Sequence, residues 1–283
     1  MRRIMYREAI SSALAEEMRR DERVFVMGED VAIVGGVYKA TRGLLEEFGP
    51  ERVRNTPLSE LAIAGVATGA AMCGARPVAE IMHIDFMGCC MDITLNQMSK
   101  MCYKTNGKVH VPLVIRTQGG RGHSNGCTQS QSLEALFTHI PGLKVVMPST
   151  PYDAKGLLKS AIRDNNPVLF IEHKGLYQTR GEVPEEEYLV PLGRAEVKRF
   201  GKDVTIITYS KTVLTALEAA EQLAAQGIEA EVVDLRTLVP LDFDTVAQSI
   251  RKTGRVIVTH EACRRNGYGA EIAAEITEKL FDE

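Results

Sequence analysis

The sequence predicts an α/β fold of two domains, each a mainly parallel sheet flanked by helices. Three observations predict it. Short apolar, β-branched runs alternate with segments of helical periodicity almost from the start. Most of those runs are apolar at nearly every position, as strands buried on both faces of a parallel sheet are. The alternation breaks once, over a polar, acidic, proline-punctuated stretch at 179–203, and then resumes. At 283 residues the chain is long enough for two compact domains.

Taken in order, residues 5–19 carry Ala9, Ile10, Ala13, Leu14 and Met18 at helical spacing. VFVMGED (24–30) reads as a strand ending in acids, followed by a turn at Gly35 and Gly36 and a helix over 41–48 stopped by Gly49 and Pro50. The runs at 76–84, 111–117, 143–148 and 167–173 read as further strands, separated by helices over 86–103, 130–139 and 151–163. Pro151 suits the first turn of the last of these. This organisation gives a first domain over 1–178, a linker with one extended hairpin over 179–203, and a second domain over 204–283. In the second domain strands begin near Asp203, Ile228 and Arg255, and helices follow at 211–226, closed by Gly227, at 242–251, and from about 267. Three strands make a thin sheet, so a further strand or another chain is expected to complete it.

Thirty-four Lys and Arg against 37 Asp and Glu give a net charge of -3, unlike the basic balance of a nucleic-acid or anionic-membrane binder. No apolar stretch approaches the ~18 residues that span a bilayer, and the charged N-terminus builds no apolar signal core. A cytoplasmic location is the expectation. The six cysteines form no CxxC pair and the six histidines no HxxxH or HExxH spacing, so small apolar thiols fit better than a zinc site or a disulfide framework.

Candidate chemistry is concentrated in a few segments. QGGRGHSNG (118–126) follows a strand and can present backbone N–H groups, but its glycines do not spell GxGxxG and Walker A spacing is absent. That leaves a nicotinamide oxidoreductase resting on α/β rhythm alone. In NTPLSELAIAGVATGAAMCGARP (55–77), Pro57 and Ser59 suit a helix start and Glu60 meets the positive end of the helix dipole. Gly65 and Gly69 let another backbone approach that helix, within the fold or across a subunit boundary. DFMGCCMDITLNQMSKMCY (85–103) reads as a Met-rich core helix, with Phe86 placed to flank a flat heterocycle. His139 suits a helix C-terminus. The end of the helix before Asn165, with Asp164, reads equally as a plain turn or as an oxygen site for a hard cation.

The stretches NTPLSELAIAGVATGAA, PVAEIMHIDFMG, SQSLEALFTHIPGLKVVMPSTPYDAKGLLKSAIRDNNPVLFIEHKGLY, VVDLRTLVPLD and GYGAEIA resemble the beta subunit of the thiamine-diphosphate-dependent 2-oxoacid dehydrogenase component, in its pyruvate and acetoin dehydrogenase branch. The resemblance covers nearly the whole chain and is long and specific over 130–177. It implies a transketolase-type pyrimidine-binding domain, a transketolase-like C-terminal domain, and an alpha-two-beta-two assembly. It further implies oxidative decarboxylation of a 2-oxo acid, or cleavage of acetoin, with acyl transfer to a lipoyl group on an acyltransferase core. By the resemblance, Glu60 is the glutamate that hydrogen-bonds the aminopyrimidine nitrogen, its pKa raised by burial so that it can share a proton there. Phe86, with Met82 and Cys89, packs against the same ring. Leu113, Ala161, Ile162, Asp164 and Asn166 match a structural potassium site, mostly through carbonyl oxygens. The GDG motif for diphosphate and magnesium is absent, which assigns magnesium to the alpha chain.

Three departures qualify the likeness. Where the family has an active-site histidine this chain has Gln129, which neither donates nor accepts a proton as an acid or base near neutral pH. His123 is the alternative, and a weakened or purely structural assembly subunit is the competing reading. Cys89 stands where relatives carry a polar residue. Relatives also continue for roughly forty residues, about one further βα unit and a tail.

Overall fold

The structure, a computed structural model, describes residues 1–121 and 125–282. The first sheet is built from β2 (Val24–Gly28), β3 (Val53–Asn55), β4 (Arg76–Ile81), β5 (Val114–Gly119), β6 (Lys144–Val146) and β7 (Val168–His173), once a short N-terminal strand, β1 (Arg2–Met5), has led into α1 (Tyr6–Arg20). Their order across the sheet is β6, β7, β5, β4, β2, β3, all parallel. Five of these strands are largely buried, only the edge strand β3 being exposed at Arg54 and Asn55, which explains why the sequence runs read as continuously apolar. One face is covered by α1 and by α6 (Pro151–Arg163), with α2 (Leu44–Phe48) beside them. The other is covered by α3 (Glu60–Met72), by the 3₁₀ segment Ile84–Cys90 and the π-helical segment Ile93–Met98, and by α4 (Met101–Lys104) and α5 (Glu134–Thr138).

Several helices are shorter than periodicity predicts. The segment expected as one helix over 86–103 is three pieces. Thr94 Oγ1 donates to the Cys90 carbonyl and Ser99 Oγ to that of Thr94, and such side-chain bonds compete with a regular α ladder. The helix expected from 130 begins only at Glu134, because the Gln131 carbonyl accepts the N–H of Gly120 and the chain there serves another partner. The helix expected from 41 begins at Leu44, after Gly43 at φ +87°. α6 starts as predicted, with Pro151 in its first turn and the Thr150 side chain accepting the Asp153 N–H. Ser59 stands at the start of α3 but makes no capping bond.

The stretch at 179–203 holds two strands, β8 (Arg180–Val183) and β9 (Glu196–Arg199), but they do not form the expected hairpin. β8 pairs antiparallel with β1, and β9 pairs antiparallel with β11 (Ala230–Asp234). With β10 (Val204–Thr208) and β13 (Val256–Val258) the second sheet runs β13, β10, β11, β9. The fourth strand that the thin second domain needs is therefore drawn from the stretch read as a linker. α7 (Thr212–Ala224), α8 (Phe243–Thr253) and α9 (Tyr268–Leu280) flank this sheet. α8 is held by the Asp242 side chain on the Thr245 N–H and stops at Gly254 in the left-handed region.

The two domains are not separate bodies. β12 (Thr237–Val239), which follows β11 in the chain, pairs antiparallel with β6 and becomes the seventh strand of the first sheet. One apolar cluster runs through both domains, with Phe137, Ile140 and Met147 of the first against Tyr209, Leu238 and Tyr268 of the second.

Candidate active site

The ends of parallel strands gather side chains at one edge of a sheet, and ligands favour that edge in α/β folds. Here the carboxyl ends of β2, β4, β5 and β7 lead into Glu29, Met82 to Phe86, the segment carrying Gln129, and Lys174. α3 contributes its first residue, Glu60, and packs against the turn over 84–90. The Glu60 carboxylate makes no hydrogen bond among the described residues and lies within electrostatic reach of Glu29 and Cys90. It is only half-buried, so the enclosure expected around it is not supplied by this chain alone. Phe86 and Met82 are half-buried, and Cys89 is exposed. Cys90, its neighbour, is the buried member of the pair, its thiol pushed up to about 11 first by burial.

Three residues join the site that sequence reasoning did not single out. Glu29 is buried, one of its oxygens has no partner, and its carboxyl is raised by burial first and then by the charge of Glu60. His83 is buried with its ring 5.9 Å from that of Tyr38 and 6.5 Å from that of Phe86. Burial first, then the Lys174 charge, pull it down to about 4, so this imidazole is neutral near pH 7. Lys174 is buried too, its ammonium lowered by that burial, and it donates to the backbone carbonyl of Gln129. The only sequence signal for Glu29 was its place in the acidic end of a strand; His83 sat in a run that read as strand and Lys174 directly after one.

Gln129 itself is half-buried at the same edge. Its neighbour Gln131 donates from Nε2 to Asp85 at 2.8 Å. His123 lies outside the described residues. Beneath the edge, Arg116 is fully buried and forks onto Glu172 at 2.6 and 2.8 Å while reaching Glu80 at 2.7 Å. Gln118 adds a bond to Glu80 at 3.1 Å and Tyr177 donates to Glu172 at 2.5 Å.

The potassium set behaves differently. The carbonyls of Ile162 and Asp164 converge, but on Arg76 Nη1, at 2.9 and 3.0 Å. The Leu113 carbonyl accepts the Val168 N–H, and that of Ala161 faces the Asp164 N–H. The Asp164 carboxylate is shared between Lys144 and Asn166. A guanidinium and an ammonium thus supply positive charge at the Ile162 and Asp164 oxygens. No cluster of metal-ligating His, Cys, Asp or Glu occurs among the described residues.

Residues 2–180 match the family described as "Transketolase, pyrimidine binding domain" and residues 193–283 "Transketolase, C-terminal domain". The chain is 51% identical to the acetoin:2,6-dichlorophenolindophenol oxidoreductase subunit beta of Cupriavidus necator, over 99% of this chain and 86% of that protein. It is 51% identical to the 2-oxoisovalerate dehydrogenase subunit beta of Bacillus subtilis (98% and 85%) and 50% identical to the pyruvate dehydrogenase E1 component subunit beta of the same organism (97% and 85%). The chain belongs to this family of transketolase-like beta subunits.

Among solved structures, this beta subunit superposes on a split-gene transketolase, described as an inactive beta4 tetramer, with a TM-score of 0.81 at 28% identity, over 98% of this chain and 85% of that one. A transketolase from Leishmania mexicana, 18% identical with a TM-score of 0.72, shares the fold, over 93% of this chain and 39% of that one. No helix among the described residues of the beta subunit is long and apolar enough to cross a membrane.

Proposed function

We propose that this beta subunit supplies the pyrimidine side of a thiamine diphosphate site whose diphosphate and magnesium are held by an alpha subunit, in an alpha-two-beta-two enzyme that decarboxylates a 2-oxo acid or cleaves acetoin and passes the acyl group to a lipoyl arm of an acyltransferase core. The observation that carries this reading is Glu60, a carboxylate without a hydrogen-bond partner at the first turn of α3, beside the Phe86 turn and on a side of the site this chain leaves unenclosed.

The residues present suit a flat, basic heterocycle. Phe86 and Met82 offer apolar surface for a ring face, and Glu60 offers an oxygen to a ring nitrogen. Bound there, the cofactor provides the electron sink that decarboxylation requires. Glu60 then holds a proton at the ring nitrogen, and closure by the alpha chain would exclude water from that contact. Glu29, a second carboxyl kept high by burial and by Glu60, can take up or return that proton. Gln129 can hydrogen-bond a substrate carbonyl or carboxylate through its amide, but it does not exchange a proton as a base would. No step is routed through potassium; Arg76 donates to the Ile162 and Asp164 carbonyls and Lys144 to the Asp164 carboxylate.

The test is reconstitution with the alpha partner, thiamine diphosphate and magnesium, followed by substrate-dependent dye reduction. Glu60→Gln keeps size and hydrogen bonding but not proton transfer, and turnover is expected to fall by about 100-fold or more, a typical acid–base contribution. Unchanged turnover would exclude the proton role. A cofactor bound by this chain alone, with no partner, would overturn the shared site.

A further inference from the structure

The segment that carries Gln129 is tied down by a residue from the other domain. His173 is the last residue of β7, and its Nδ1 accepts the N–H of Gly175 at 3.0 Å. That bond leaves the ring hydrogen on Nε2, which faces Glu261 Oε2 at 2.9 Å. The other oxygen of the same carboxylate, Oε1, accepts the backbone N–H of Arg121 at 2.5 Å. Glu261 follows β13 and so belongs to the C-terminal domain, whereas Arg121 directly follows β5 and Gly120. Both Glu261 oxygens are thus used, one on a buried histidine and one on the backbone N–H next to Gly120.

The surroundings are shaped for this contact. Gly120 has φ +83°, and a Cβ there would lie 2.1 Å from His173 Nε2, so only glycine lets the imidazole reach across to Glu261. The Gly120 N–H donates to the Gln131 carbonyl at 3.0 Å, which closes the two ends of the segment on one another. Lys174, the residue after His173, donates to the Gln129 carbonyl from the opposite side. The imidazole is almost wholly enclosed, with its side chain 4% exposed against 30% for Glu261, and its hydrogen bond, the largest influence on that carboxyl, holds Glu261 down at about 2. The carboxylate is therefore ionised, and acceptor-only, near neutral pH.

We propose that Glu261, acting with His173, is a positioning residue for Gln129: it fixes Arg121 beside Gly120, whose N–H holds the Gln131 carbonyl two residues from Gln129, and so couples the orientation of the C-terminal domain to the reacting end of the site. The inference rests on the functional reading above for what Gln129 does, but the clamp itself is a property of this chain. A carboxylate is needed rather than any polar group. Glutamine has one acceptor oxygen for two donors, and the His173 tautomer cannot reverse while Gly175 occupies Nδ1.

Two measurements test it. Hydrogen exchange on the full chain, with no partner and no substrate, reads the clamp directly. In Glu261→Ala the amide of Arg121 loses its acceptor and is expected to exchange about tenfold faster or more, with the exchange of β4 and β7 unchanged. Gly120→Ala, which displaces His173, is expected to do the same by an independent route. In the reconstituted enzyme Glu261→Ala is expected to lower kcat about tenfold or more, as small misplacements of reacting groups do, while thiamine diphosphate affinity stays as in the parent, because Glu60 is on another element. Glu261→Gln is expected to fall between the two, and it serves alone if the alanine variant fails to fold. Unchanged exchange at Arg121 overturns the clamp whatever the turnover. Faster exchange with kcat unchanged overturns its role in positioning Gln129. A parent enzyme with no turnover, in which Glu261→Ala still speeds exchange at Arg121, supports the clamp and counts against the functional reading alone.

Discussion

Arg116 places a guanidinium in the middle of the first sheet with no exposure to solvent. It is tolerable there because Glu80 sits directly beside it in register on β4, and Glu172 lies two residues beyond its partner Phe170 on β7, on the same face. Two carboxylates answer one cation, and burial pushes the Glu80 carboxyl up against that attraction. Arg116→Met would leave both acids buried with no cation between them. The expected loss is about 3–5 kcal/mol, the range for breaking a buried ion pair by removing one partner, read as a lower urea midpoint. Asp234 works in the opposite sense. Burial first, then the charge of Asp153, raise it from 3.8 to about 7, although Lys198, the Ser149 hydroxyl and the Arg236 N–H pull the other way. The folded chain holds this proton more tightly than the unfolded one, so the contribution to stability is complete below about pH 3.8 and is lost as pH rises through about 7. Asp234→Asn keeps an oxygen for Arg236 and an amide for Ser149, and it is expected to flatten the dependence of melting temperature on pH between 4 and 7. A slope identical to that of the parent would refute the assignment. None of this was legible in the sequence. Arg116 reads as the polar end of an apolar run, and nothing local says that acids 36 residues before it and 56 after it will meet it. Glu60 and Phe86 stand out in the sequence only through the stretches NTPLSELAIAGVATGAA and PVAEIMHIDFMG, which carry the family resemblance.

The elements were read with uneven success, for a physical reason. Most strands of the parallel sheets and the helices α1, α6 and α8 follow local patterning, since their apolar faces are buried, whereas the three-residue edge strand β3, with Arg54 and Asn55 exposed, leaves no such pattern. The segment from 84 to 104 does not, because hydroxyl-to-carbonyl bonds redirect its backbone, and composition alone gives no sign of them. α3 is the informative case. Leu61, Val66 and Met72 are exposed, and Gly69 meets nothing within 4 Å where a Cβ would be. Of the two roles its small residues could serve, packing within the fold is not the one visible at Gly69. Gly69→Leu should therefore leave the isolated chain as stable as before or up to about 1 kcal/mol more stable, from helix propensity. The same variant should weaken association with other subunits, seen as a lower sedimentation coefficient of the mixture with the alpha chain. A destabilised isolated chain with normal association would show that the Gly69 side of α3 packs inward instead.

At the scale of the whole molecule the contrast is between two domains in the chain and one folding unit in space. β12 lies beside β6, Tyr209 donates to Glu134 at 2.8 Å, and Lys198 and Arg236 reach Asp153 at 2.6 and 3.1 Å. Each contact crosses the boundary that the break in alternation suggests. Calorimetry of the intact chain is expected to give a single unfolding transition with equal calorimetric and van't Hoff enthalpies, where independent domains would give two. The sequence marks where the alternation stops, but a three-residue strand that crosses to another sheet leaves no periodicity to read.

β12 also bears on how such a chain is made. Synthesis runs from the N-terminus, so the six parallel strands exist before residue 237 has been added, and until then β6 presents a bare row of amide and carbonyl groups. A nascent chain halted in that interval would offer a template for pairing with its neighbours on the polysome, and the hazard ends only when the last arrival is laid along the rim.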